Sequence, residues 1–384
     1  MVKIVVSTTK VDRQVEFGLD TFGDVTDDEN GDRLPDHVVL GHVVDEAVLA
    51  EQVGVQAFGI GEHHRPDFAV SSPEMVLAAI AGRTDHIRLG SAVTVLSSDD
   101  PVRVFQRFAT LDAVSDGRAE VVLGRGSFTE SFPLFGYPLD RYEELFEDKL
   151  DLFATLLREE PVTWEGSTRA PLDGQLVVPR TASGLSAWVG VGGSPESVLR
   201  AARYGLPLMV AIIGGESARF EPLVRLYRRA LEELGHPALP VAVHSPGFVA
   251  STDADAHKRL WPHYEQMRNR IGAERGWGPT SRAEFAHAAS PAGALYAGSV
   301  ETVATKIAAT VRTLGLDRFT MKYSAGTMPH ADLMDSIERY GTEVIPRVRE
   351  LLAYSDESVG ALADVDVSVD GGGVSPVPLA ASTS

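Results

Sequence analysis

The chain contains no cysteine, no long apolar run and no excess of basic residues in its 384 positions. The lack of cysteine excludes disulfide bonds, thiolate catalysis and zinc held by sulfur. No stretch of about twenty apolar residues is present, and the amino terminus has no basic and apolar leader. We therefore expect a cytoplasmic protein.

Positive charge is scarce, because 35 lysines and arginines stand against 54 aspartates and glutamates, a net charge of −19. Such a field repels nucleic acid and anionic membranes, so we expect neither as a partner. An anionic ligand would need local positive groups. With 44% hydrophobic residues the chain can bury a large core. We predict one barrel domain over residues 1–354. Residues 355–384 are mostly small and polar and include many glycines, so we predict a disordered tail there.

Eight apolar and β-branched runs are typical of buried strands, and they are unbroken, as in parallel strands covered on both faces. Apolar residues three and four positions apart predict helices between most of them. We therefore predict an α/β fold, a (β/α)8 TIM barrel with insertions in the βα loops. A doubly wound sheet is the alternative, because alternation does not show closure. The runs are Lys3–Val6, Ala57–Ile60, Ile87–Leu96, Ala119–Leu123, Ala187–Val191, Pro207–Ile212, Val241–Val249 and Arg318–Tyr323.

Several long segments between these runs show little periodicity. Asp24–Pro35 is acidic and punctuated by glycine and proline, and Arg158–Ser186 is mostly irregular. Long loops in a compact domain usually shape or cover a site. We expect lids among the segments 20–35, 125–140 and 252–298.

A glycine-serine turn follows the run Ala187–Val191. In Gly192-Gly193-Ser194-Pro195-Glu196-Ser197, the glycines let the backbone approach a ligand, and the serines offer hydroxyl groups at the positive end of a helix. This pattern indicates a phosphate cradle, and an ordinary turn with Ser194 as N-cap is the alternative. The turn lacks the Walker lysine and the dinucleotide glycine spacing, which disfavours nucleoside triphosphates and a Rossmann NAD site.

An arginine flanked by glycines follows the run Ala119–Leu123, in Gly124-Arg125-Gly126-Ser127. Its planar fork can bind phosphate through two nitrogens, against the overall negative charge. A surface arginine in a flexible turn is the alternative. The position at a strand exit favours a ligand contact.

Two adjacent histidines follow the run Ala57–Ile60, in Glu62-His63-His64. Neighbouring side chains on an extended segment point in opposite directions, so the two rings seldom share a metal ion. We expect one histidine to face the pocket as a proton donor or acceptor. Two structural histidines, or zinc or iron bound with Asp67, are the alternatives.

Taken together in order and spacing, these motifs resemble the bacterial-luciferase-like flavin-dependent monooxygenase family from about residue 1 to 350. The ordered set is specific, although each piece alone is weak. It comprises Glu62-His63-His64, Ser72-Pro73-Glu74, Arg88-Leu89-Gly90-Ser91-Ala92-Val93, Pro101, Leu111-Asp112-Ala113-Val114-Ser115-Asp116-Gly117-Arg118, Gly124-Arg125-Gly126, Gly192-Gly193-Ser194-Pro195-Glu196-Ser197 and Tyr204-Gly205-Leu206-Pro207.

The resemblance implies a (β/α)8 barrel that binds reduced flavin mononucleotide (FMN) at the carboxyl ends of its strands, usually as a homodimer. It places the phosphate on the glycine-serine turn with Arg125 nearby, the isoalloxazine ring over an Ala92–Val93 peptide bond that is often cis, and proton handling on His63. No metal ligand is implied. The cofactor-binding residues expected on this basis are Ala92, Val93, Arg125, Gly126, Ser127, Gly192, Gly193, Ser194 and Ser197.

The implied chemistry is oxygenation of a small organic substrate by dioxygen and reduced FMN, which a separate flavin reductase would supply. Gly124 stands where the luciferases carry a reactive cysteine, and Gly193 where they carry a glutamate. We therefore expect no light emission. The alternatives are an F420-dependent dehydrogenase or reductase of the same fold, a metal-dependent barrel hydrolase, and a flavin-binding protein without turnover.

Overall fold

A computed structural model describes residues 14–28, 30–126 and 128–353. Eight strands pair in parallel around a closed ring, in the order β1, β2, β3, β5, β8, β9, β10 and β12. The ring closes because β12 pairs with both β10 and β1, which excludes the doubly wound sheet. The strands are β1 Glu16–Thr21, β2 Ala57–Ile60, β3 Arg88–Ser91, β4 Thr94–Val95, β5 Ala119–Gly124, β6 Val162–Trp164, β7 Leu172–Gln175, β8 Ser186–Val191, β9 Leu208–Ala211, β10 Val241–Val249, β11 Tyr296–Gly298 and β12 Arg318–Lys322.

Helices connect the barrel strands and cover the outside of the barrel, so the predicted (β/α)8 architecture is confirmed. The last helix continues through the π-helical turn Tyr340–Val344 into 345–353. No helix within the described ranges is both long and apolar enough to cross a bilayer. The helices are α1 Asp36–Gln52, α2 Pro73–Ala81, α3 Pro101–Val114, α4 Ser131–Phe135, α5 Tyr142–Leu156, α6 Pro195–Arg203, α7 Glu221–Glu233, α8 Asp253–Arg275, α9 Arg282–Ala289, α10 Val300–Leu314 and α11 His330–Arg339.

The run Lys3–Val6, which we predicted as the first strand, lies outside the described residues. Among the described residues the place between β12 and β2 is taken by β1, which the sequence interpretation missed. Phe17 and Leu19 of β1 pack in the outer core, whereas Gly18 and Asp20 alternate with them and face the lumen. The small and charged residues interrupt the apolar pattern, which hid this strand.

Three further segments differ from the sequence interpretation. The run Ile87–Leu96 divides into β3 and β4 around the Ala92–Val93 peptide. Arg158–Ser186 contains the antiparallel hairpin β6–β7, and residues 252–298 contain α8, α9 and β11. The predicted tail over 355–384 lies outside the described residues.

The amino-terminal end of the lumen is closed by a buried ion cluster. Arg318 of β12 donates to Glu16 of β1 at 2.7 Å and reaches Glu120 of β5 at 3.0 Å. An apolar layer of Val122, Trp188, Met209 and Ala242 packs in the lumen, and the Trp188 ring lies 4.9 Å from the Arg318 guanidinium carbon. The barrel is therefore filled at this end.

Candidate active site

The predicted site segments meet at the carboxyl end of the barrel, which we call the mouth. Glu62-His63-His64 follows β2, Ala92–Val93 follows β3, Arg125 follows β5 and Gly192–Ser194 follows β8. Closure of the sheet brings the ends of these parallel strands to one face. One predicted residue, Ser127, lies outside the described residues.

The Ala92–Val93 peptide bond is cis and forms the floor of the mouth. The partly buried Val93 side chain caps the apolar lumen layer and fits into space left by two glycines. A Cβ atom at Gly124 would lie 2.5 Å from Val93 Cγ2, and one at Gly190 would lie 2.9 Å from Val93 Cγ1. Glycine at these two positions thus allows an apolar floor.

The predicted phosphate cradle comes together from two strand exits. Ser194 is the N-cap of α6: its Oγ accepts a hydrogen bond from the Ser197 amide at 3.3 Å and lies 2.9 Å from Ser197 Oγ. Arg125 donates to Ser197 Oγ at 3.3 Å. Gly193 has φ +115°, which L side chains rarely adopt, and a Cβ atom at Gly192 would meet no atom within 4 Å. An open helix amino terminus, two hydroxyl groups and one guanidinium fit a phosphate monoester.

An acidic partner holds Arg125 in place. Arg125 forms an ion pair with Glu143 of α5 and lies 5.3 Å from the Tyr142 ring. Glu143 also pairs with Arg200 at 3.2 Å. Sequence reasoning missed Glu143 and Arg200, because only the packing of α5 beside α6 brings them to the cradle. Tyr142 donates to the Gly126 carbonyl at 2.7 Å, which fixes the turn after β5.

His63 faces an aromatic wall of the mouth. Its ring lies 4.8 Å from Phe22, 4.5 Å from Phe68 and 5.0 Å from Phe128. The Glu130 carboxylate is 3.6 Å from His63 Nδ1. Burial raises the pKa of Glu130, but His63 and nearby cationic groups outweigh it, and the net shift is downward. A mostly buried imidazole beside an ionised carboxylate can give or take a proton at this edge.

His64 points away from His63, as expected for neighbours on an extended segment. Its Nε2 lies 2.8 Å from Glu62 Oε1, and its ring packs against Phe135 at 4.9 Å. Together with Glu62 and Asp99 it lines a separate cavity of about 450 Å³ beside α2 and α3. Within the described ranges, no three histidine, aspartate or glutamate side chains are arranged to hold a metal ion.

The carboxyl end of α8, one of the expected lid segments, lies against the loop after β2. Arg65 donates to Glu274 at 2.7 Å, and Asp67 pairs with Arg270. The guanidinium carbon of Arg275 lies 5.0 Å from the ring of Phe128, which also contacts His63. Asp67 is therefore engaged in an ion pair that joins α8 to the mouth.

Two polar pairs in the upper lumen were missed by sequence reasoning. His244 of β10 lies 2.7 Å from Asp20 of β1, and Lys322 of β12 lies 2.8 Å from Asp24. All four residues are buried. The only sequence signal is the presence of charged or imidazole side chains within strands that are otherwise apolar. Their convergence depends on ring closure through β12.

Comparison with known proteins identifies one family. The luciferase-like monooxygenase profile matches residues 20–318. N-acetyl-S-alkylcysteine monooxygenase of Bacillus subtilis is 29% identical over 58% of this chain and 65% of its own length. 4-Hydroxyprotoasukamycin monooxygenase of Streptomyces nodosus subsp. asukaensis is 32% identical over 47% of this chain and 50% of its own length. The chain thus spans one half to two thirds of these two relatives.

Solved structures share the fold. The monooxygenase RslO1 of Streptomyces bottropensis superposes with a TM-score of 0.76 at 21% identity, covering 86% of this chain and 99% of its own. The oxygenating constituent of 3,6-diketocamphane monooxygenase of Pseudomonas putida, in complex with FMN, gives 0.67 at 20%, covering 87% and 99%. The coenzyme F420-dependent tetrahydromethanopterin reductase of Methanopyrus kandleri gives 0.66 at 20%, also covering 87% and 99%.

Proposed function

Because the chain belongs to the luciferase-like monooxygenase family, we propose that it is a flavin-dependent monooxygenase that uses reduced FMN and dioxygen to oxygenate a small organic substrate. The main support for this proposal is that Arg125, Ser194 and Ser197 meet at the amino terminus of α6, beside the cis peptide at Ala92–Val93. A phosphate-binding turn beside an apolar floor suits a tricyclic ring joined to a monophosphate.

The residues of this chain then have separate roles. Arg125, Ser194 and Ser197 bind the phosphate, and Glu143 keeps the guanidinium oriented toward them. The bound flavin supplies two electrons and the reaction with dioxygen. His63 holds or releases a proton at the aromatic edge of the mouth, where its side chain is only 11% exposed.

The proposal includes partners that the proposed chemistry requires. Reduced FMN comes from a separate flavin reductase, as the proposed chemistry requires a supply of reduced flavin. The active form is a homodimer, as the resemblance implies. Both statements are tested by reconstitution with a flavin reductase and by sedimentation of the purified protein.

An F420-dependent dehydrogenase or reductase is the second candidate, because an enzyme of that type shares the fold. F420 carries a long anionic tail, which calls for further cations at the rim. Within the described ranges the cradle guanidiniums of Arg125 and Arg200 are both paired with Glu143. Because Glu143 already balances part of their positive charge, these two arginines suit the single phosphate of FMN better than a long anionic tail.

The test is an anaerobic titration of the purified protein with reduced FMN and with reduced F420, followed by oxygen uptake. We expect saturable FMN binding and oxygen consumption. Tight F420 binding without oxygen consumption would overturn the choice of cofactor.

A matched pair of N-cap variants locates the cradle. Ser194→Ala and Ser299→Ala each remove the N-cap hydroxyl of a helix, and Ser299 caps α10, which is not part of the cradle. Both variants lose about 1 kcal/mol of stability. Only Ser194→Ala should weaken FMN binding, and equal affinity for FMN in the two variants would remove the cradle from the proposal.

A further inference from the structure

A histidine and an aspartate form a buried pair in the upper lumen, apart from His63. His244 Nδ1 lies 2.7 Å from Asp20 Oδ2, and Asp20 is fully buried. β10 and β1 carry the two side chains, which reach each other across the intervening strand β12. The pair therefore occupies the lumen rather than the outer core.

Both members of this pair have a polar atom that makes no hydrogen bond in the described part of the chain. A carboxylate oxygen accepts hydrogen bonds, so Asp20 selects the His244 tautomer with its proton on Nδ1, and Nε2 becomes the acceptor. Within the described ranges Asp20 Oδ1 has no hydrogen-bond partner, and the His244 ring bonds only through Nδ1. An aspartate that orients an imidazole in this way stabilises the protonated ring.

The pair lies in the same layer as the proposed flavin floor. A Cβ atom at Gly59 would lie 3.0 Å from Ala92 Cβ and 3.1 Å from Asp20 Cβ. Gly59 of β2 is therefore the only residue between Asp20 and the cis peptide in that direction. Asp20, and with it His244, therefore lies on the β1 side of the proposed floor.

Aromatic and charged groups lie near the pair. The Phe22 ring lies 6.1 Å from the His244 ring at an interplanar angle of 15°, and it separates His244 from His63. Lys322 of β12 lies 4.7 Å from the same ring and is neutralised by Asp24. Burial and the Asp20 charge raise the pKa of Tyr340, so that its hydroxyl stays neutral.

We propose that His244, held by Asp20, is the base that takes a proton from an ionisable hydroxyl group of the substrate, which makes phenols and enols the substrate class. The inference rests on the proposed monooxygenase function. In this step the substrate O–H bond breaks, an Nε2–H bond forms on His244, and the electron pair stays on the substrate oxygen. The resulting phenolate or enolate is rich in electrons at carbon, which favours transfer of oxygen to carbon.

The experiment uses 4-nitrophenol, whose phenolate absorbs in the visible range, as a probe of proton transfer without turnover. Difference spectra are taken at a pH below the pKa of the probe, with the full-length protein alone and with the protein saturated with oxidised FMN. We expect the phenolate-to-phenol ratio of the bound probe to exceed the ratio in buffer about tenfold, which is one unit of its pKa.

Variants assign the effect to the pair. In His244→Asn the amide still reaches Asp20 but the base is lost, and the ratio should return to that in buffer. Asp20→Asn, a nearly isosteric second variant, should lower the ratio as well. The matched control is His330→Asn, because His330 lies 2.9 Å from Glu46 in a similar pair between α1 and α11; this variant should keep the wild-type ratio.

Three results would overturn the proposal: no excess ionisation of the probe in the wild-type protein, an unchanged ratio in His244→Asn, or equal losses in His244→Asn and His330→Asn. FMN affinity is measured on the same preparations. If the wild-type protein ionises the probe but binds no FMN, the base assignment survives while the monooxygenase proposal fails. If it binds FMN without ionising the probe, the base assignment fails while the monooxygenase proposal survives.

Discussion

The two ends of the barrel lumen hold buried charges in different ways. At the amino-terminal end, Arg318 reaches two carboxylates, Glu16 and Glu120. At the mouth, Asp20 bonds one nitrogen of His244 and leaves its other oxygen without a partner in the described ranges. A buried charge whose bonding capacity is filled holds a structure together, whereas spare capacity in a buried polar group points to chemistry.

The largest loss of stability is expected from a variant at the amino-terminal end of the lumen. Arg318→Met leaves Glu120 buried without a cation, because the side chains of Arg318 and Glu120 are 3% and 5% exposed. Removal of one partner from a buried pair typically costs about 3–5 kcal/mol of unfolding free energy. Urea unfolding measures this loss.

The double variant Arg318→Met with Glu120→Gln is the control for Arg318→Met, since it removes both charges and should recover part of the stability. If Arg318→Met is as stable as the wild-type protein, the ion cluster does not stabilise the amino-terminal end of the lumen.

At the mouth, Arg125→Ala should weaken binding of reduced FMN with little loss of stability. A hydrogen bond to a charged group contributes about 1.5–3 kcal/mol, which corresponds to about a 10- to 150-fold rise in Kd. Anaerobic fluorescence titration measures the Kd. Arg141→Ala is the control, because Arg141 makes a similar ion pair with Glu144 at the start of α5. The same Kd in both variants would contradict the cradle.

Gly124→Ala tests the apolar floor, since its new Cβ would lie 2.5 Å from Val93 Cγ2. Overpacking of this kind costs about 1–3 kcal/mol. The loss should fall when Val93→Ala is added, because that change removes the clashing methyl groups. Gly82→Ala is the control, since its nearest neighbour would be 3.7 Å away. Additive losses at Gly124 and Val93 in unfolding experiments would refute this contact.

A buried lysine outside the lumen should make stability depend on pH, with no such dependence at neutral pH or below. Lys149 donates to the Ser97 carbonyl at 2.7 Å, and burial lowers its pKa to about 8. The unfolded chain, with the ordinary lysine pKa, binds this proton more tightly, so stability should rise between about pH 8 and pH 10.5, by up to about 1.4 kcal/mol per unit. Lys149→Met should flatten that rise in urea unfolding series. An identical slope in the variant would contradict the shift.

The sequence predicted most of the barrel, because strands buried on both faces show as continuous apolar runs. The run Val241–Val249 matches β10 residue for residue. The interpretation failed at β1, where Gly18 and Asp20 face the lumen and break the apolar pattern. The hairpin β6–β7 was also missed, since β7 is largely exposed and has no buried face to signal a strand.

Sequence reasoning can group residues that are adjacent in the chain, and it misses groups whose members are far apart. Ser194 and Ser197 share one turn, so their pattern could be recognised, and the resemblance to a known family implied that Arg125 lies nearby. Asp20 and His244 are 224 positions apart. Their contact requires closure of the ring and its register, which no local pattern encodes.

The most direct test of the phosphate cradle compares FMN with riboflavin, which carries the same ring without the phosphate. The wild-type protein should bind reduced FMN at least about tenfold more tightly than reduced riboflavin, and Arg125→Ala should lose affinity for FMN while its affinity for riboflavin stays unchanged. Equal affinity of the wild-type protein for the two flavins, or no affinity for either, would contradict the account.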